Sequence, residues 1–295
     1  MTAPAAVRLI VNADDFGYFD GVSEGILEAA RAGRVTATGV MANGPALEHW
    51  FGALEAVPTL APGVHLNATL GRPLTAALAG HPVCAGGQFP TKEKLALAVL
   101  RGRLAPDLVL EEWRAQVRHC RDLGLQPRFL NAHEHVHALP PLYRRVRALA
   151  REFGIPHVRL PRPEWQAGFS LGGLVRNLAF AAVGPFNRAA VRGAPAAPPL
   201  LGLAPSGRLD AAYCARLFPR LQPDRTYELM CHPGHDDPAA VAVPALRAYH
   251  DWQGELAFLL GDAFAELLRR HRIELVPFAA GTRTAGDAGA AGIAA

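Results

Sequence analysis

Val7-Arg8-Leu9-Ile10-Val11-Asn12 runs into Ala13-Asp14-Asp15-Phe16-Gly17 near the start of the chain, and the recurrence of such runs decides the fold. The first part, aliphatic and β-branched, reads as a buried strand. Val22 to Ala32 then reads as a helix opened by the turn at Asp20-Gly21. Further along, strands are expected at Ala37–Met41, Gly63–Asn67, Arg128–Ala132, His157–Leu160, Thr226–Met230 and Ile273–Pro277. Helices are expected between them at Pro45–Ala56, Leu108–Leu123 and Pro140–Phe153, with one long helix over Pro244–Arg272. Strands alternating with helices imply an α/β fold with a parallel sheet and right-handed crossovers. A chain of 295 residues, half of them apolar, can bury one core. One domain over residues 1–278 is expected, followed by a Gly/Ala-rich disordered tail at 279–295.

The formal charge is +4, and Lys92 and Lys94 are the only lysines. Basic and acidic residues interleave without a run of like charges, so nucleic acid is not an expected partner. Cys84, Cys120, Cys214 and Cys231 lie far apart and form no C-x-x-C pair, which points to buried thiols. Neither a secretion signal nor a long uninterrupted apolar run is visible, so a cytoplasmic protein is expected, with contact to the inner membrane surface left open. Composition leaves homo-oligomerisation open as well.

Four expected strands end in groups that bind metal or move protons. These ends are Asp14-Asp15, His65-Leu66-Asn67, His133-Glu134-His135-Val136-His137 and His232-Pro233-Gly234. In a parallel barrel the C-terminal strand ends meet on one face, which favours a barrel and one shared site. Imidazole and carboxylate together suit a divalent metal with open positions for water and substrate. The simplest ligand set is Asp15, His65 and His133, with Asp14 as the base. Asp14 and Asp15 would face opposite ways on a regular strand, so a bend at Asp15-Phe16-Gly17 must bring both inward. The i, i+2 spacing of His133, His135 and His137 places them on one face of an extended strand. His133 is nearest the strand end and is assigned to the metal. His135 and His137, with Asn67 and Glu134, remain for the substrate or for orienting the ligands. His232 is placed to protonate a leaving amine.

At these residues the chain resembles the YdjC-like carbohydrate deacetylase family, which includes chitooligosaccharide deacetylases. The resemblance covers about residues 7–278 and rests on Asn12-Ala13-Asp14-Asp15-Phe16-Gly17, Gly63-Val64-His65, the His133–His137 cluster and His232-Pro233-Gly234. It implies a distorted (β/α) barrel of the glycoside hydrolase/deacetylase type, one magnesium, zinc or similar ion, and hydrolysis of the acetamido group of N-acetylated sugars. It implies Asp15, His65 and His133 as ligands, and Asp14 and His232 as base and acid. Asn131-Ala132-His133 departs from the Asp-Ser-His common in the family and is similar to the branch associated with hopanoid biosynthesis. That branch implies an N-acetylglucosaminyl hopanoid, a glycolipid, as substrate.

Residues 165–209 read as an apolar, arginine-bearing insertion without an acidic residue. Such a segment suits anionic lipid or a greasy aglycone; equally, it suits an ordinary core helix followed by a Pro-rich loop. Rival functions are a metal-dependent phosphoesterase or amidohydrolase and a sugar-lipid binding protein without chemistry. Against the first, His-x-His does not lie at the first strand; against the second, both an acid and a base are retained.

Overall fold

A computed structural model describes residues 6–165, 171–190, 197–241 and 244–278. The disordered tail expected at 279–295 and parts of the 165–209 insertion lie outside these residues.

Among the described residues, eight strands form one sheet in which every pairing is parallel. They are β1 (Val7–Phe16), β2 (Ala37–Val40), β3 (Ala61–Leu66), β4 (Phe129–Ala132), β5 (His157–Val158), β6 (Leu200–Leu201), β7 (Thr226–Cys231) and β8 (Ile273–Leu275). The order is β5-β4-β3-β2-β1-β7-β6, with β8 against β1. β8 pairs with the first residues of β1, Val7–Leu9, while β2 pairs from Asn12 onward. The sheet curls with helices around it as a distorted, partly open barrel, since no pairing joins β5 to β6 among the described residues.

The central strands are buried except at half-buried Arg8, which is why they read as nearly continuous apolar runs and not as alternating ones. Helices return each strand to the sheet and bury one stripe. Pro106–Asp122 buries Val109, Trp113, Val117 and Cys120; Pro140–Glu152 buries Leu142, Tyr143, Val146 and Leu149. All four cysteines are buried free thiols.

Two expectations need correction. The long helix over Pro244–Arg272 is three helices, Pro244–Tyr249, Trp252–Leu260 and Asp262–Arg270. The Asp251 side chain caps the second by accepting from Gly254 N at 3.0 Å, and Gly261 interrupts before the third, so apolar periodicity continued across real breaks. Helix Lys92–Leu100 lies outside the expected helices, and Leu171–Ala190 is the helix of one of the two readings of the 165–209 segment.

Candidate active site

β1 continues past Asn12 and carries both aspartates. Between Ala13 and Phe16 its register with β2 shifts; Asp15 takes φ +74° and Gly17 +90°. This bulge is the expected bend. It places both carboxylates within reach of His65, whose Nδ1 is 3.9 Å from Asp14 Oδ1 and whose Nε2 is 3.1 Å from Asp15 Oδ1. A left-handed conformation at a non-glycine residue costs on the order of 1–3 kcal/mol, and such strain concentrates at functional sites.

Asp14 is held by fixed donors. Arg159 Nη1 donates to Oδ2 at 2.5 Å and Nη2 to Oδ1 at 3.0 Å, while Asn131 Nδ2 donates to Oδ1 at 2.8 Å. Arg159, just past β5, is buried and also donates through Nε to Glu228 of β7 at 2.8 Å. The Asn12 amide donates to the same Glu228 oxygen at 2.8 Å. Burial pushes the Asp14 carboxyl up, but Arg159 and then His65 outweigh it and hold it below its ordinary value. Oδ1 already has two donors; Oδ2 has one and keeps an acceptor position for another proton.

Asn131 couples this group to its neighbour. A carboxylate only accepts, so the amide NH₂ faces Asp14 and the amide oxygen faces His65 Nδ1 at 2.8 Å. His65 therefore carries its proton on Nδ1, which leaves the Nε2 lone pair toward Asp15. β2 makes room by lacking a side chain, because a Cβ on Gly39 would lie 3.1 Å from both Asn131 Oδ1 and His65 Cβ.

His133 Nδ1 lies 3.0 Å from the same Asp15 Oδ1. The ligand atoms of Asp15, His65 and His133 all lie within 4.8 Å of one another, and all three residues are buried. Burial raises the Asp15 carboxyl, yet His133 and His65 hold it well below its usual range; burial lowers His133, yet Asp15 raises it. Electron-rich atoms converging in this way call for a cation or an extra proton between them. Two imidazoles and one carboxylate fit a divalent transition-type ion.

His232 follows β7. Its backbone N–H donates to Glu255 Oε2 at 2.5 Å, and its ring Nδ1 lies 3.9 Å from Glu255 Oε1, an electrostatic distance beyond a hydrogen bond. Burial pushes this imidazole down, but Glu255, Asp15 and Asp14 bring it to about 8. At neutral pH it is a proton donor. His250 packs edge-on against it, with ring centroids 4.8 Å apart, and stacks on Trp252 at 5.0 Å. Burial holds His250 neutral, at about 3.

The histidine cluster is not an extended strand. β4 ends at Ala132, and His133–Ala138 form a tight 3₁₀ turn in which Glu134 and His135 are left-handed, with φ +52° and +56°. The side chains therefore diverge. His133 reaches Asp15. His135 meets Phe180, with ring centroids 5.9 Å apart, and burial holds it far below its ordinary value. His137 Nε2 donates to Arg159 O at 3.0 Å, pinning the turn to the end of β5. Glu134 lies at the rim and pairs with Lys92 at 2.8 Å. Asn67 is spent on its own loop: Nδ2 donates to Asn43 Oδ1 and Leu70 O, and Oδ1 accepts from Thr69 N and Leu70 N.

Arg159, Glu228 and Glu255 were not singled out from the sequence, and Asn12 and Asn131 entered only as motif residues, although a signal existed for the charged ones. Glu228 lies between Tyr227 and Leu229, and Arg159 between Val158 and Leu160. A charge inside a strand-like apolar run is buried only if paired.

The family model described as YdjC-like protein matches residues 8–270. The chain is 36% identical over 152 residues to a carbohydrate deacetylase from Halalkalibacterium halodurans, covering 51% of this chain and 62% of that one. It is 40% identical over 148 residues to a chitooligosaccharide deacetylase from Klebsiella pneumoniae, covering 50% and 57%. The match thus spans about three fifths of these relatives' lengths. A solved Enterococcus faecalis structure, provisionally called a cellobiose-phosphate cleavage protein, superposes with TM-score 0.71 at 24% identity, covering 93% of this chain and 98% of that one. That similarity concerns the fold.

Proposed function

The chain belongs to the YdjC-like protein family, and from that premise we propose that it is a metal-dependent hydrolase removing the acetyl group of an N-acetylated sugar. The observation that carries this reading is the buried Asp15, His65 and His133 group with a carboxylate, Asp14, restrained by Arg159 and Asn131 and a buried imidazole, His232, near enough to feel both aspartates. The carbohydrate deacetylases among its relatives support the same reaction.

Asp15, His65 and His133 would hold the ion, which supplies Lewis acidity toward an acyl oxygen and acidifies water. Asp14 takes the proton of the attacking water on the free position of Oδ2, while Arg159 and Asn131 keep its carboxylate from rotating. His232 delivers a proton to the nitrogen as the carbon–nitrogen bond breaks. Acetate and a free amine result. The two-imidazole donor set favours zinc, cobalt or a similar ion over magnesium, which prefers oxygen.

The finer substrate we propose is the N-acetylglucosaminyl group of a hopanoid-type glycolipid. Asn131-Ala132-His133 and the apolar side chains exposed around the site support it. The test is acetate release by chelated enzyme restored with zinc, cobalt or magnesium, on N-acetylglucosaminyl hopanoid and on N-acetylated chitobiose. Ion-dependent release is expected, faster on the lipid. Preference for chitobiose would make the protein a chitooligosaccharide deacetylase, and no release with any ion would overturn the hydrolase.

A further inference from the structure

Helix Leu171–Ala190 turns an apolar stripe outward. Its inward side carries polar Asn177, which holds the backbone of Glu164, and Asn187, which donates to Ala138 O at 2.8 Å. Its outward side carries Val175 (61% exposed), Leu178 (55%) and Phe186 (59%), with Ala179, Ala182 and Ala189 also exposed. These positions fall within about a third of the helix circumference. A helix facing water on that side would carry the opposite pattern.

The helix does not stand alone. The large apolar side chains exposed among the described residues lie in three of the connections between strands. Leu74, Leu97 and Leu100 lie between β3 and β4; Trp165 and the helix residues lie between β5 and β6; Tyr249 lies after β7. Contacts tie these connections to the candidate site: Lys92, on the helix of Leu97 and Leu100, pairs with Glu134, and Tyr249 precedes His250, which packs on His232. Phe180 of the helix meets His135, and Arg176 Nη1 donates to Tyr249 Oη at 2.9 Å, so the helix is fastened to the site's own surroundings. The same connections expose Arg72, Lys94, Arg101, Arg103, Arg162 and Arg188; they also expose acids, among them Asp107 and Glu111, paired with Arg145 and Arg114, and Asp236 and Asp251, but no acidic residue occurs from Trp165 to Leu209. The acids Glu93 and Glu134 lie beside Lys92 at 3.9 and 2.8 Å.

We infer that this face docks on an anionic lipid bilayer through the outward stripe of Leu171–Ala190 and the leucines of Lys92–Leu100, presenting the site to the membrane surface. Apolar residues over a basic rim match the headgroup boundary of such a bilayer. The contact is interfacial, because no helix among the described residues is long and apolar enough to cross a membrane. It deepens the lipid-linked reading above and rests on it for its purpose, but its test is independent of turnover.

The experiment floats the full chain on vesicles of phosphatidylglycerol or phosphatidylcholine at low and high salt, with light scattering for mass and acetate release from N-acetylated chitobiose measured in parallel. The wild-type chain should float with phosphatidylglycerol and weakly with phosphatidylcholine. Val175→Glu/Leu178→Glu/Phe186→Glu should reduce flotation at least tenfold while releasing acetate as the wild type does. Leu97→Glu/Leu100→Glu, on a separate helix, should reduce it too, guarding against a folding defect in the first variant. No flotation on phosphatidylglycerol would overturn the inference. So would a dimer that the triple variant converts to a monomer, since a second copy would then cover the stripe.

Discussion

Asp14 and Asp15 are neighbours on one strand, equally buried, and meet opposite electrostatic fates. Asp14 faces a permanent charge, Arg159, which Glu228 shares. Asp15 faces two imidazoles, whose charge depends on a proton or on an ion between them. One bulge, at Asp15, separates the two environments. Adjacent carboxylates can therefore divide labour when the backbone turns one toward a fixed counter-charge and the other toward an exchangeable one.

The division is broken most severely at Asp15. We expect Asp15→Asn to lose the bound ion and to lower acetate release by about a thousandfold, the equivalent of several kcal/mol of lost Lewis-acid stabilisation. Metal analysis alongside rate decides this, and an ion retained at wild-type level would place the ligand set elsewhere. Arg159→Met attacks the other half. It strands Asp14 and Glu228 without their counter-charge, and should cost about 3–5 kcal/mol of stability. Chemical denaturation reads that loss; a change below about 1 kcal/mol would mean that Arg159 is not what neutralises Asp14. Because the Asp14 carboxyl is lowered by folding, the wild-type pair contributes stability above the unfolded value near 3.8. That contribution disappears as pH falls through the lowered folded value.

Asp14→Asn sharpens the contrast, since it keeps the shape and removes the carboxylate proposed as the base. At least about a hundredfold loss in rate is expected, with metal content unchanged, and normal turnover would show another base. The smallest effect is at Glu255. His232, raised to about 8, donates below that pH, so kcat/KM should fall as pH rises through about 8. Glu255→Gln removes the main attraction holding the proton, and the alkaline limb should move down toward the ordinary histidine value of about 6.5. An unmoved limb would separate His232 from the acid role.

Much of this was legible beforehand because strand periodicity and strand ends are local properties. Asp14, Asp15, His65, His133 and His232 each stood at the end of an apolar run, and in a parallel barrel those ends must meet. Local spacing misled at His133–His137, where alternation suggested a strand but Glu134 and His135 turn left-handed. It also carried a helix through Asp251 and Gly261, where a cap and a break intervene.

By itself, then, the sequence determined the α/β alternation, the convergence of acid and imidazole on one face, and the kind of chemistry those groups support. Only the tertiary structure decided that His135 and His137 turn away from His133, that Asp14 answers to Arg159 and His232 to Glu255, and that an apolar helix face is exposed beside the site. The physical reason is range. Periodicity is set by neighbours a few residues apart, whereas Asp14 meets Arg159 across 145 positions and Asp15 meets His133 across 118. Such pairs exist only once the strands have assembled into the curled sheet and their C-terminal ends meet on one face.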